Sequence, residues 1–295
     1  MQKKRIDILG ANGQLGNEIR LLSVRYPEYE FVFSDVGDVD ITDKGQLHAH
    51  LDCIRPQVVV NCAAYTAVDK AETEGAEMAE AVNHQAVRHL AGFTQEFHYL
   101  LIHISTDYVF DGASCKPYLE SDPCRPLSVY GRTKRAGEEE VLAHASRAVV
   151  LRTAWMFSSF GNNFVKTMRR LGAERPEVRV VADQIGTPTY AADLAEVVMC
   201  WVEQEAQVQD VQLYHFTNEG VCSWYDFARS IIASVSPDCR VLPISSEEYP
   251  AAAPRPYYSV LSKRKIRQRL QREIPHWEEA LQRCLRVIET KNRKQ

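Results

Sequence analysis

Gly10-Ala11-Asn12-Gly13-Gln14-Leu15-Gly16 is the stretch on which the fold turns. Its glycines fall in the pattern G-x-x-G-x-x-G. They follow an apolar run at residues 5–9 that reads as a strand, and they open a helical pattern over residues 14–26. Glycine lets the chain turn tightly and lets the backbone approach a pyrophosphate closely. The helix start then offers free N–H groups and the positive end of its dipole to the anion. A glycine pattern alone is weak, because a merely structural strand–helix turn can look the same. The flanking strand and helix make this one a dinucleotide-binding turn.

Outward from that turn, residues 31–34, Val58–Asn61, 100–105 and 148–152 read as further strands. Residues 76–98 and 128–144 read as helices. Val58-Val59-Val60 is apolar throughout, as a strand covered on both faces should be. Alternating strands and helices imply right-handed β-α-β units and a parallel sheet. The expected fold is α/β, a Rossmann-type, doubly wound parallel sheet over residues 1–153. After Arg152 the pattern loosens, and Pro188, Pro237, Pro243, Pro250, Pro254 and Pro256 punctuate shorter elements. A smaller, mixed α/β substrate lobe is expected over residues 154–295, with the chain returning to the first lobe around 183–220. Residues 277–289 read as an amphipathic helix and 292–295 as a frayed end.

The chain has 295 residues, room for one large domain or two modest ones. A net charge of -4 gives no general reason to bind nucleic acid or an anionic membrane. No apolar run approaches the roughly 20 residues of a membrane-spanning helix. Met1-Gln2-Lys3-Lys4-Arg5 is basic, but the apolar stretch after it is too short for a signal peptide. The eight cysteines include no C-x-x-C pair. They read as reduced thiols of a cytoplasmic protein. His48, His50, His84, His89 and His98 form no recognisable metal site, and His103, inside a strand, reads as core.

Tyr130-Gly131-Arg132-Thr133-Lys134 sets a tyrosine and a lysine four apart near a helix start, hence on one face. A phenol near its reference pKa of about 10 exchanges protons poorly at neutral pH. A neighbouring ammonium lowers that pKa, and the same lysine can hold the nicotinamide ribose. Tyr-x-x-x-Lys is common by chance, so its position carries the weight. It follows a strand ending in Ser105-Thr106-Asp107, and carboxyl ends of parallel strands are where ligands bind. The Thr106 hydroxyl can reach substrate oxygen and phenol together, and Asp107 can bond sugar hydroxyls. A simple turn is the plainer reading of that pair. Asp35, 25 positions after Gly10, stands where an acid bonds the adenosine ribose and repels a 2′-phosphate, which favours NADH over NADPH. Asp40-Ile41 lies where an adenine edge can be held, and Ala63-Ala64-Tyr65-Thr66 ends the third strand with small residues first.

Together these residues resemble the extended short-chain dehydrogenase/reductase superfamily and, within it, the dTDP-4-dehydrorhamnose reductases. Asn61-Cys62-Ala63-Ala64-Tyr65-Thr66-Ala67-Val68-Asp69-Lys70-Ala71-Glu72, Arg152-Thr153-Ala154-Trp155, Gly161-Asn162-Asn163-Phe164, Asp183-Gln184-Ile185-Gly186-Thr187-Pro188-Thr189, Trp224-Tyr225-Asp226 and Arg255-Pro256 extend the likeness over nearly the whole chain. The Ala-Val-Asp-Lys-Ala-Glu and Asp-Gln-x-Gly-x-Pro-Thr segments are far more specific than the glycine turn. The resemblance implies reduction of the C4 ketone of dTDP-4-dehydro-L-rhamnose with NADH or NADPH. It implies that Tyr130 donates the proton, that Lys134 tunes it and anchors the ribose, and that Thr106 assists. It further implies that Thr106, Asp107 and Trp155 contact the sugar. Gly13, Gln14, Leu15, Asp35, Asp40, Ile41, Ala64, Tyr65 and Thr66 would then line the cofactor, and Gly10, Gly16, Ala63, Tyr130 and Lys134 are expected to bind it as well. Arg255, fixed between Pro254 and Pro256, is the candidate cation for the substrate diphosphate.

Some relatives dimerise through a magnesium ion held by glutamates. Glu18 suits one such place, but Thr189-Tyr190-Ala191-Ala192 offers no acid for the second, which argues against a metal bridge and leaves a plain homodimer open. The likeness also takes in a non-enzymatic class, the regulatory subunit of methionine adenosyltransferase, as well as other keto-sugar reductases and epimerases. The complete Thr106, Tyr130 and Lys134 set favours an enzyme, and net NADH consumption separates a reductase from an epimerase.

Overall fold

Strands that are apolar on both faces must be covered on both, and the centre of the sheet follows from that rule. A computed structural model describes residues 3–292. Of the end read as frayed, residues 293–295 lie outside the described residues. Six strands form one sheet: β1 (Lys4–Leu9), β2 (Tyr29–Ser34), β3 (Val58–Asn61), β4 (Leu100–Thr106), β5 (Ala148–Thr153) and β6 (Val211–His215). They lie in the order β2-β1-β3-β4-β5-β6, and every pairing is parallel. β3, β4 and β5 are buried at every position.

Register brings the carboxyl ends to one edge. Leu9 stands opposite Ser34 and Asn61, Thr106 opposite Thr153, and Arg152 opposite His215. The chain winds outward from β1 to β2 on one side and from β3 to β6 on the other. The reversal between β1 and β3 opens a crevice at the carboxyl ends, the ligand-binding place of open α/β sheets.

Helices cover both faces. On one, Leu15 and Ile19 of α1 (Gln14–Ser23) and, further along the chain, Leu194, Val198 and Trp201 of the helix Ala191–Glu203 pack on Ile8, Val60, Ile102 and Leu151. On the other, Leu47 and Leu51 of α2 (Lys44–Ile54), Val87 and Leu90 of α3 (Ala86–Phe97) and Val141 of α4 (Val129–His144) pack on Leu9, Val59, Leu101 and Val150. Each such side chain stabilises the fold by about 1.5–3 kcal/mol relative to exposure. A separate core joins α5 (Phe164–Glu174), α6 (Trp224–Ala233) and α7 (Trp277–Asn292) through Val165, Met168, Phe227, Ile231, Leu281 and Leu285. Against it lie Val178 and Val180 of the strand Glu177–Val181, which pairs in parallel with Arg240–Ile244.

The helical pattern at residues 76–98 is not one α-helix. It is Ala76–Glu80, a π-helical turn at Ala81–Gln85, and then α3. The wider turn brings Asn83 inward. Its side chain accepts from Tyr65 N (2.9 Å) and donates to Tyr65 O (3.0 Å) and Thr133 Oγ1 (3.3 Å).

Candidate active site

The glycine turn is shaped by close approach. Gly10 has φ +73°, and a Cβ there would lie 2.6 Å from Ala63 N; one at Gly16 would lie 2.5 Å from Ala11 Cα. Beside the turn, at the β1–β3 reversal, is a cavity of about 350 Å³ lined in part by Gly10, Gly13, Asp35, Asp40, Ile41, Ala63 and Ala64. Asp35 accepts from Asn12 N (2.8 Å) and so braces the turn from the end of β2. Asp40 accepts from Thr42 N and Oγ1. Among the described residues the lining includes no Lys or Arg.

Not every residue expected at the cofactor lines that cavity. The Leu15 side chain turns into the core, leaving its backbone at the helix start. Gln14 faces the second lobe, where Asn163 Nδ2 donates to its Oε1 (3.0 Å). Tyr65 is held by Asn83, and Thr66 lines a different, larger cavity.

That larger cavity, about 800 Å³, opens between the lobes and includes Thr66, Tyr108, Phe164, Trp224, Ala253 and Arg255 in its lining. Trp155 stacks on Trp224 with ring centroids 3.6 Å apart, and Phe164 packs on Trp224 at 4.6 Å. Trp155 has φ +47°, an outlier for a bulky residue and a strain kept only where the surroundings enforce it. Its indole fills the place a side chain at Gly186 would take. Arg255 donates to Asp69 Oδ2 (2.7 Å).

The catalytic candidates meet at the end of β4. Ser128 caps α4, its Oγ accepting from Gly131 N (3.1 Å), and the helix carries Tyr130 and Lys134 on one face. The Tyr130 hydroxyl is in hydrogen-bonding reach of Thr106, and its ring meets that of Tyr108 edge-on at 5.5 Å. Lys134 is buried and donates to Ile104 O (2.6 Å). Thr106 Oγ1 donates to Asp107 Oδ1 (3.1 Å), while Asp107 Oδ2 is buried without a partner. Burial pushes Asp107 up to about 6 and Lys134 down to about 8. Tyr130 corrects the expectation of a lowered phenol. Burial raises it to about 12, only partly offset by Thr106. His103 is a neutral core residue, its pKa held well down by burial.

Glu18 is buried, accepts from Ser158 Oγ (2.6 Å), and has its pKa raised by burial. Asp193, just beyond the acid-free Thr189–Ala192 stretch, accepts from Asn218 and Arg283. Among the described residues no group of three or more His, Cys, Asp or Glu is placed to hold a metal. All eight cysteines are free thiols. No helix of the described residues is long and apolar enough to cross a membrane.

A family described as RmlD substrate binding domain matches residues 4–290. The chain belongs to this family. It is similar to the dTDP-4-dehydrorhamnose reductase of Aggregatibacter actinomycetemcomitans, 41% identical over 285 residues, covering 94% of this chain and 97% of that one. It is also similar to a probable dTDP-4,6-dihydroxy-2-methyloxan-3-one 4-ketoreductase of Streptomyces antibioticus, 41% identical over 278 residues (93% and 92%). Among solved structures it resembles the dTDP-4-dehydrorhamnose reductase of Bacillus anthracis str. Ames in complex with NADP, with a TM-score of 0.90, 40% identity, and 96% and 99% of the two chains covered.

In this member of the family two groups around the site escaped the sequence reading. Glu138 falls on the α4 face of Tyr130 and Lys134, a spacing that was there to be read. It is fully buried and accepts from Ser105 Oγ (2.5 Å), Arg152 Nε (2.8 Å) and Arg152 Nη2 (2.7 Å). Asn83 carried no such signal, since its bonds reach residues 18 and 50 positions away.

Proposed function

We propose that the chain reduces the C4 ketone of dTDP-4-dehydro-L-rhamnose to dTDP-L-rhamnose with a nicotinamide cofactor, supplying rhamnose for cell-surface polysaccharide. One observation carries this reading: Thr106, Tyr130 and Lys134 gather at the end of β4, where Tyr130 meets Tyr108 of the larger cavity edge-on and Lys134 lies near Cys62 of the cavity at the glycine turn. The latter cavity suits a dinucleotide because the turn leaves no room for a Cβ at Gly10 or Gly16. The cofactor bound there supplies hydride to C4.

Tyr130 then gives its proton to the carbonyl oxygen. With its pKa at about 12 the phenol is fully protonated at neutral pH. It is still a far stronger acid than an alcohol, whose conjugate base resembles hydroxide (pKa of water about 15.7), so the transfer runs downhill. Thr106 holds the phenol, and its single O–H reaches the ketone oxygen by swinging away from Asp107 Oδ1. Lys134 spends one of its three donors on Ile104 O, leaving the others for the cofactor ribose and the forming phenolate. Asp107 turns its free oxygen to sugar hydroxyls, Trp155 packs on the sugar, and Arg255 meets the diphosphate. NADH is the favoured donor, because Asp35 and Asp40 line the dinucleotide cavity with negative charge that a 2′-phosphate would face.

The test is incubation of the protein with NADH and dTDP-4-dehydro-L-rhamnose. Stoichiometric loss of NADH with appearance of dTDP-L-rhamnose is expected. Sugar conversion without net NADH oxidation, or no turnover with either cofactor, overturns the reading.

A further inference from the structure

The segment Ala67-Val68-Asp69-Lys70-Ala71-Glu72 is among the most specific in the chain, yet none of its side chains takes part in the proton transfer or the dinucleotide cavity. It forms a single helical turn, Val68–Ala71, directly after Thr66, which lines the larger cavity. Its two acids point to different parts of the site. Asp69 accepts from Arg255 Nη2 (2.7 Å) through one oxygen and from Ala253 N (3.1 Å) through the other. Ala253 and Arg255 both line the larger cavity. Glu72 Oε1 accepts from Val129 N (2.7 Å), the first residue of α4 and the neighbour of Tyr130.

We propose that this turn is a strut: Asp69 sets Arg255 and its loop over the substrate cavity, while Glu72 sets the start of the helix that carries the proton donor. Both are positioning residues. The guanidinium of Arg255 is fixed on two sides, by Asp69 and by Ala253 O (3.3 Å), so its remaining donors are pre-oriented rather than searching. Glu72 satisfies an N–H that no residue within α4 can bond, and so fixes where the helix begins relative to the β4 end. Substrate grip and proton-donor placement thereby share one rigid turn. The Asp69–Arg255 pair is partly exposed, so its removal is expected to cost little stability and to leave a folded protein for assay.

The Asp69 arm rests on the reading of Arg255 as a substrate-diphosphate contact. The experiment is steady-state kinetics on Asp69→Ala, Glu72→Ala and Arg255→Ala, each with nucleotide sugar and NADH varied separately. Asp69→Ala should raise KM for the nucleotide sugar roughly tenfold, the scale of one charge-assisted hydrogen bond, with KM for NADH unchanged. Asp69→Asn, which keeps an acceptor, should recover part of that loss. Glu72→Ala should lower kcat with little change in sugar KM, and Glu72→Gln, which can still accept from Val129 N, should restore it. If Arg255→Ala leaves sugar KM unchanged, the reading of Arg255 itself fails. If Arg255→Ala raises KM while Asp69→Ala does not, or if Glu72→Ala leaves kcat intact, the strut is overturned while Arg255 stands. A fall in Tm with both kinetic constants unchanged in the Asp69 and Glu72 variants would mark the turn as merely structural and overturn it equally.

Discussion

Burial pulls the three ionisable groups at the end of β4 toward their neutral forms, Tyr130 and Asp107 upward and Lys134 downward. At neutral pH the phenol therefore keeps its proton, as the proposed role of donor requires. Tyr130→Phe should bind NADH and fold as before while kcat falls by roughly 10²–10⁴, the usual worth of a general acid. Steady-state rates within a few-fold of the unaltered protein would remove Tyr130 from that role. Asp107 makes a claim on stability. Its pKa of about 6 lies above the ordinary 3.8, so the folded state binds that proton more tightly than the unfolded one. Stability contributed by the protonated form is present below about pH 4 and is lost as pH rises through 6. At roughly 1.36 kcal/mol per pKa unit, Asp107→Asn should gain up to about 3 kcal/mol at pH 7 and almost nothing near pH 4. Denaturant unfolding at the two pH values checks this, and an equal effect at both would refute it.

Among the elements, α4 does most to assemble the site, and what fixes it is buried. Glu138 ties it to β4 through Ser105 and to β5 through Arg152, so the strand end bearing Thr106, the helix bearing Tyr130 and Lys134, and the strand leading to Trp155 are joined at one ion pair. Removing one partner of a buried pair strands a charge and costs about 3–5 kcal/mol, whereas replacing both by apolar groups is often neutral. Arg135 Nη1 also reaches Glu138 Oε2 (3.0 Å) and keeps the carboxylate partly paired. Arg152→Met should thus lower stability by about 3 kcal/mol, the lower end of that range, and Glu138→Leu with Arg152→Met should recover most of it; a double variant no better than the single one would contradict the account. The same element shows what was legible in sequence. Tyr130 and Lys134 follow from local spacing, and the strand Val58–Asn61 follows from the unbroken apolar run Val58-Val59-Val60. Lys44–Ile54 went unread because only Leu47 and Leu51 are buried, too few for a clear helical stripe. The turn at Ala81–Gln85 went unread because it is enforced by Asn83 reaching distant residues rather than by local propensity. Trp155 was legible as a residue, but neither its left-handed backbone nor its stack on Trp224 was, since both depend on segments far apart in the chain.

At the scale of the whole molecule, the second lobe leans on the glycine turn. Asn163 bonds Gln14, Ser158 bonds Glu18 in the next turn of α1, and Lys291 Nζ of α7 donates to Ser159 (2.9 Å). A ligand that orders the turn is therefore felt by the cores of both lobes, and cofactor binding should raise the stability of the chain as one unit. A ligand at a hundred times its Kd adds about 2.7 kcal/mol. For a chain of this size that corresponds to a rise in Tm on the order of 5 °C. The cavity at the glycine turn, as the proposed cofactor site, should then decide which cofactor raises it more. Asp35 and Asp40 line it, and the described lining includes no lysine or arginine to offset a 2′-phosphate. At equal concentration NADH should shift the single transition further than NADPH, and Asp35→Ala should narrow the difference by removing one of the two carboxylates. A larger shift with NADPH, or two separate transitions of which only one moves, would mean either that these acids do not face the adenosine ribose or that the lobes are not coupled through α1.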